Sequence, residues 1–403
     1  MKTCFVEKVI LALAFVSLFV GVFTLHAAVE DTIFKDFQVK PGTKLVVAVD
    51  RGSIDVKASD ADHVEIEVKR KLDKVSEADA QEIFRDHEVT LAQEGDEVRV
   101  RAQFKTKRPT RTHQQLQVHY QIAVPKKFNV DLKTAGGSVG IGDLQGEVRA
   151  QTSAGNVKVA KIAGPVTAET SGGSINIAAA TKAISTKTSA GNIDIGETGG
   201  DAFADTNGGS VTIKTSKGKV IARMSAGNID IGEVDDEVSA KTNGGSVSIK
   251  KARGKVTAKT SAGSIRVGEI AGDVVAETNG GSIKAEKVKG KLVAKTSAGN
   301  IDAGEVTGAI EAGTNGGSVT AGLKGQPKED SRLETSAGNI KLSVDETVAV
   351  NLDARASAGN VRCDLPVTVT EKKRSSSVKG KINGGGPALV LRTNGGSVHV
   401  KKW

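Results

Sequence analysis

Three carboxylates sit in near-identical surroundings. Asp194, Asp230 and Asp302 fall at the same place in "TSAGNIDIGE" (188–197), "MSAGNIDIGE" (224–233) and "TSAGNIDAGE" (296–305). Paired carboxylates cleave glycosidic bonds, and crowded carboxylate oxygens bind calcium. Their spacing defeats both readings. Thr212 takes the place between Asp194 and Asp230, so on stacked strands the two acids stand about 10 Å apart. The calcium-binding nonapeptide "GGxGxDxUx" is also absent. A carbohydrate-active β-helix enzyme, which would need clustered acids or bases and aromatic platforms, is therefore the least favoured class. Of the six histidines, only His113 and His119 lie close in metal-like spacing, and they read as structural. Cys363 is the one cysteine beyond the N-terminal segment, so no disulfide framework exists; it reads as core, with a reactive thiol as the alternative. The sequence thus assigns no catalytic, cofactor-binding or metal residue, and no cofactor.

Positive charge supplies the remaining candidate. The chain carries +9, and its last stretch, 366–403, holds Lys372, Lys373, Arg374, Lys379, Lys381, Arg392, Lys401 and Lys402 against Glu371 alone. One reading is a solvated cap that opposes end-to-end stacking. The functional reading is contact with an anionic envelope surface through Lys372, Lys373, Arg374, Lys401 and Lys402. Nucleic acid is not expected, since no aromatic residues interleave with these charges.

The elements that hold these residues repeat. Thr134, Thr152, Thr170, Thr188, Thr206, Thr242, Thr260, Thr278, Thr296 and Thr314 lie on one 18-residue grid, with Met224 in the vacant place. The grid continues, stretched, at Thr335, Ala356 and Thr393. Such self-similarity marks a stacked-repeat architecture. In each repeat the third residue after the grid position is Gly, which is expected to supply positive φ at a tight corner. Between corners, Val256, Ala258 and Thr260 alternate with polar residues, as do Ile265 and Val267. The pattern predicts two short strands per rung, stacked about 4.8 Å apart. The left-handed hexapeptide helix is excluded because positions 265, 271 and 277 are Ile, Ala and Glu. The fold class expected is therefore all-β, a parallel β-solenoid. Aromatics make up only 3% of the chain, and after Val130 only Phe203 and Trp403 occur, so the core must be slim. Trp403 is expected to lid the column of Ile270.

"SAG" corners alternate with "SGG" or "NGG" corners, which doubles the true unit to 36 residues. Nine residues past the grid, Glu233, Lys251, Glu269, Lys287 and Glu305 alternate in sign and oppose a one-rung slip. A single rung buries too few aliphatic side chains to offset its ordering, so stability must come from stacking and the ends need caps.

The N-terminal part reads differently. Residues 1–28 carry Lys2 and Lys8 before an apolar run and end at Ala27 and Ala28, fitting a secretory signal peptide; a retained anchor is the alternative. Residues 29–133 alternate as half-buried strands interrupted by one helix at about 76–87, capped by Ser76 with Asp79 and facing inward through Ala80, Ile83 and Phe84. The segment 105–113 reads as a loop. Residues 134–403 form the solenoid, with a C-terminal cap at about 366–403.

The "GSIDV" at 52–56, the helix, the recurring "G-[NS]-[IV]" corners and the closing "INGGGPALVLRTNGGSVHV" resemble the adhesin-like family of secreted bacterial β-solenoid proteins with the domain of unknown function numbered 4097. The resemblance implies a protein of the periplasm, cell surface or medium, without catalytic activity, and transfers no binding residue. The expected function is an extracytoplasmic surface scaffold or adhesin-like protein. The alternative is a polyanion-binding envelope protein attached through its basic end, with an anionic surface or another surface protein as partner.

Overall fold

A computed structural model describes residues 28–106, 110–370 and 375–403. The proposed signal segment lies almost wholly outside these residues. The described chain is a parallel β-solenoid in which each rung gives one strand to each of two facing sheets. Val256–Lys259 pairs with Val238–Lys241 and Val274–Glu277, and Ile265–Ile270 pairs with Val247–Ala252 and Ile283–Val288, each offset by one repeat. Val256, Ala258, Ile265, Val267 and Ile270 point inward and are fully buried. Two sheet faces of aliphatic residues fill the interior, so no bulky ring is needed.

The corner glycines have a different cause from the expected one. Among the fourteen grid corners, only Gly137, Gly209 and Gly227 have positive φ. At Gly263 a Cβ would stand 2.0 Å from the carbonyl oxygen of Gly245, and at Gly281 2.1 Å from that of Gly263. Glycine is required because successive corners stack backbone on backbone.

The grid threonines serve these corners. Thr260 donates its hydroxyl to Gly245 O (2.7 Å) and accepts from Gly263 N (3.3 Å), satisfying buried backbone groups in two rungs. The Asn or Ser after the glycine forms a second, outer ladder: Asn192 Oδ1 accepts from Ser210 N and Ser264 Oγ from Ser282 N. Met224 cannot join the threonine ladder, and the two positive-φ corners beyond the first, Gly209 and Gly227, flank it in the stack. Thr260→Val should therefore cost about 1–2 kcal/mol in urea denaturation, because it keeps volume while leaving buried backbone groups unpaired. A midpoint unchanged from wild type would show that the ladder contributes nothing.

Both ends depart from sequence order. At the N-terminal end, the rung Lys44–Val49 with Ser53–Ser59 lies between Glu97–Phe104 with Gln117–Pro125 and Asn129–Thr134 with Val139–Ile141. Stacking therefore begins well before residue 134. Antiparallel strands close this end, Val29–Gln38 on His63–Leu72 in one sheet and His87–Glu94 on Glu97–Phe104 in the other. The helix Glu77–Asp86 forms as expected, with Ser76 capping Asp79 N and Ala80, Ile83 and Phe84 buried. Arg70 ties its end down by donating to Phe84 O and His87 O while pairing with Asp31. The 105–113 segment is not all loop, since Arg111–Gln114 makes a single helical turn.

At the C-terminal end, Ala388–Thr393 lies between Ser331–Thr335 and Val350–Ala356, and Val398–Lys402 between Ile340–Val344 and Val361–Cys363. The grid at 335, 356 and 393 is therefore stacked in the order 335, 393, 356. An antiparallel pair, Ser377–Ile382 with Thr368–Val369, closes the end against Val350–Ala356.

Candidate functional site

The basic C-terminal end is built on this inserted rung. Lys372, Lys373 and Arg374 lie outside the described residues. Lys381 is exposed on the closing strand, and Lys401 is half-buried on the last strand. Two other cations meet acids that the insertion brings beside them. Arg392 lies 2.6 Å from Asp353, and Lys402 pairs with Glu346. Burial opposes ionisation of Asp353, yet the Arg392 guanidinium, with Arg355 and Lys379 nearby, holds its carboxyl below the ordinary value. Asp364 is held low by hydrogen bonds with His399 (2.7 Å) and Arg362 (2.7 Å). This end therefore carries less uncompensated charge than its linear stretch suggests, because Glu346 and Asp353 come from rungs earlier in the chain.

Trp403 does not lid the Ile270 column. In rungs such as Ile265–Ile270 the inward residues are the first, third and sixth, because Gly268 and Glu269 both face outward. The register shifts by one residue between Ala303 and Val306, after which Val319, Ala321 and Leu323 alternate regularly. Lys402 consequently takes the place beside Val344 that extends the Ile270 column, and Trp403 falls one residue beyond. Its indole lies against Gly322, with Lys324 Nζ 5.2 Å from the ring centre, and remains 47% exposed. Val369 is also exposed at this end. Cys363 sits on the Val267 column beside Val400, half-buried because its strand is the last of its sheet.

The acids and histidines stand as their spacing requires. Asp194 and Asp230 each pair with Thr212 between them. His113 and His119 meet separate carboxylates, Asp86 and Asp55, each at 3.3 Å. Among the described residues, the group with three possible ligand atoms mutually within 4.8 Å is Asp36, His63 and Glu65. Sequence spacing missed it because antiparallel pairing sets Asp36 opposite Glu65 across 28 intervening residues. It also missed a cleft of about 780 Å³ at the N-terminal end, lined by Asp31, Arg51, Arg70 and His119 among others.

The alternating charge column is in register as expected, with Glu233 beside Lys251 and Lys251 beside Glu269. Glu305 of this column closes on Lys324 at 3.1 Å, and further pairs close in other columns, including Lys259–Glu277 at 2.6 Å and Lys295–Glu311 at 2.7 Å. No helix among the described residues is long and apolar enough to cross a membrane.

These features define an all-β solenoid with capped ends. Residues 228–401 match the family model Toastrack DUF4097, the domain of unknown function that the corners and closing segment resemble. No curated protein matches the chain significantly. Among solved structures, a candidate cell adhesion protein from Clostridium sporogenes ATCC 15579 aligns with 93% of this chain and 100% of its own, at 8% identity and a TM-score of 0.20. A candidate adhesin from Bacteroides fragilis NCTC 9343 aligns with 70% of this chain and 96% of its own, at 12% identity and 0.21. A candidate lipid-binding protein from Parabacteroides distasonis ATCC 8503 aligns with 78% and 96%, at 14% and 0.19. At these scores the likenesses carry no argument about function.

Proposed function

We propose that this chain is a non-catalytic, extracytoplasmic scaffold of adhesin-like type. The observation that carries this reading is the set of in-register outer columns, in which the same charge returns every second rung, as at Glu233, Glu269 and Glu305. Such a surface suits many weak, repeated contacts with an extended partner, whose affinities multiply through effective concentration. A turnover assay with the full chain on acidic and neutral polysaccharides tests the non-catalytic part: cleavage that disappears on heating would overturn it.

The second reading is attachment of the basic C-terminal end to an anionic surface, supported by the exposed Lys381 on the closing strand pair that also carries exposed Val369. The full chain should sediment with phosphatidylglycerol-containing vesicles at low salt and be released at high salt, because only screened charge attraction holds it. Changing Lys372, Lys373, Arg374, Lys401 and Lys402 together to Gln should reduce binding at least about tenfold, given up to ~1 kcal/mol per basic residue near such a membrane. Salt-independent binding, or binding that survives these changes, would rule the attachment out.

A further inference from the structure

We propose that the C-terminal rung, Ala388–Lys402, exchanges between two copies of this chain and joins them end to end. The inference does not depend on the scaffold reading.

This rung is a guest in its own fold. Its strands have parallel neighbours on both sides, and those neighbours come from the segment 331–363, earlier in the chain. Removing the guest would leave two facing strand edges in each sheet with room for one rung between them, a slot shaped for one sequence. Leu389, Leu391, Val398 and Val400 fill its interior, and Thr393 continues the corner ladder by donating to Gly338 O at 2.7 Å. The matching N-terminal inserted rung, 44–59, is held in the chain on both sides. The C-terminal one is reached through a single short crossing, 383–387.

The hinge is equally particular. Ser377–Ile382 runs along the outer edge of Val350–Ala356, and the chain then crosses that strand to reach its inner edge as Ala388–Thr393. Three consecutive residues make the crossing with positive φ: Asn383 at 50°, Gly384 at 85° and Gly385 at 88°. Asn383 is unusual there as a residue with a side chain, and its amide is held by Glu346 O and Val348 O. If this hinge extends, the rung reaches a second copy and makes the same contacts in trans. Reciprocal exchange closes a two-fold dimer, with the balance set by protein concentration and by the relaxed hinge.

The test uses the register of Ser343 with Lys401, outward-facing neighbours in the closed chain. In a Cys363→Ser background, full-length Ser343→Cys and full-length Lys401→Cys are unfolded in urea, mixed at high concentration, refolded together and oxidised. Exchange predicts a disulfide-linked mixed dimer at several times the yield obtained when Lys401→Cys is mixed with Ser248→Cys, a position on a distant rung. A single chain bearing both Ser343→Cys and Lys401→Cys should close internally and run as a monomer. Equal yields in the two mixtures, or no mixed dimer, would overturn the proposal. Failure of the double variant to close would overturn it too, since the register itself would be wrong.

Discussion

Gly281→Ala is expected to cost about 3 kcal/mol of unfolding free energy, whereas Gly280→Ala, its neighbour in the same corner, should lie within about 0.5 kcal/mol of wild type. Neither glycine has positive φ, so backbone strain is the same for both. The difference is space. At Gly281 a Cβ would meet Gly263 O at 2.1 Å and its carbonyl carbon at 2.4 Å. Those atoms belong to the ladder and cannot step aside without parting two rungs. At Gly280 the nearest atoms are Ala262 O at 3.4 Å and Ala262 Cα at 3.7 Å, an ordinary contact. The sequence already performs the second experiment, since the "SAG" corners carry Ala at the place of Gly280. Urea midpoints of the two variants decide the matter. Equal losses would show that corner conformation, rather than rung-to-rung approach, demands glycine.

That distinction marks how far the sequence could be read. Thr260 and its equivalents fixed the period because each copy of a local contact leaves the same residue behind, and so the solenoid, the two strands per rung and the in-register columns were legible. The purpose of Gly263 was not, because glycine reports either a conformation or a close approach, and only the stacked backbone tells which. Spatial order was hidden at both ends for another reason. A rung inserted between two others satisfies the same columns as one added at the end, so Thr393 keeps the grid wherever it stacks. The charge at the C-terminal end was overread on the same account: a linear count sees Arg392 and Lys402, while insertion places Asp353 and Glu346 beside them. Trp403 missed its column through one residue lost after Ala303, which no periodic count over 393–403 contains.

Deletion of 206–241 should leave a cooperatively folding solenoid, whereas deletion of 206–225 should abolish cooperative unfolding. The first joins Asp205 to Thr242 and replaces each lost neighbour by a like one. Ile193, now beside Val211, would meet Val247; Ile195, now beside Ile213, would meet Ile249. Glu197 would gain Lys251 where it now has Thr215, and the Met224 break in the threonine ladder would be gone. Stability in a stacked array is close to a sum over rungs and their interfaces, so losing two equal rungs lowers it without changing its character. The second deletion joins Asp205 to Ala226 and moves Ile229 into the place of Gly209. There a Cβ already meets Gly191 O at 2.5 Å, so an isoleucine cannot be seated without separating the rungs. Inward alternation survives a shift of two, but the corner does not, and every ladder beyond it loses its partner. Far-UV circular dichroism with urea titration separates the cases: a sigmoidal transition is expected for the 36-residue deletion and a shallow, probe-dependent one for the 20-residue deletion. Equal loss of β-structure in both would mean that the 18-residue phase does not govern folding.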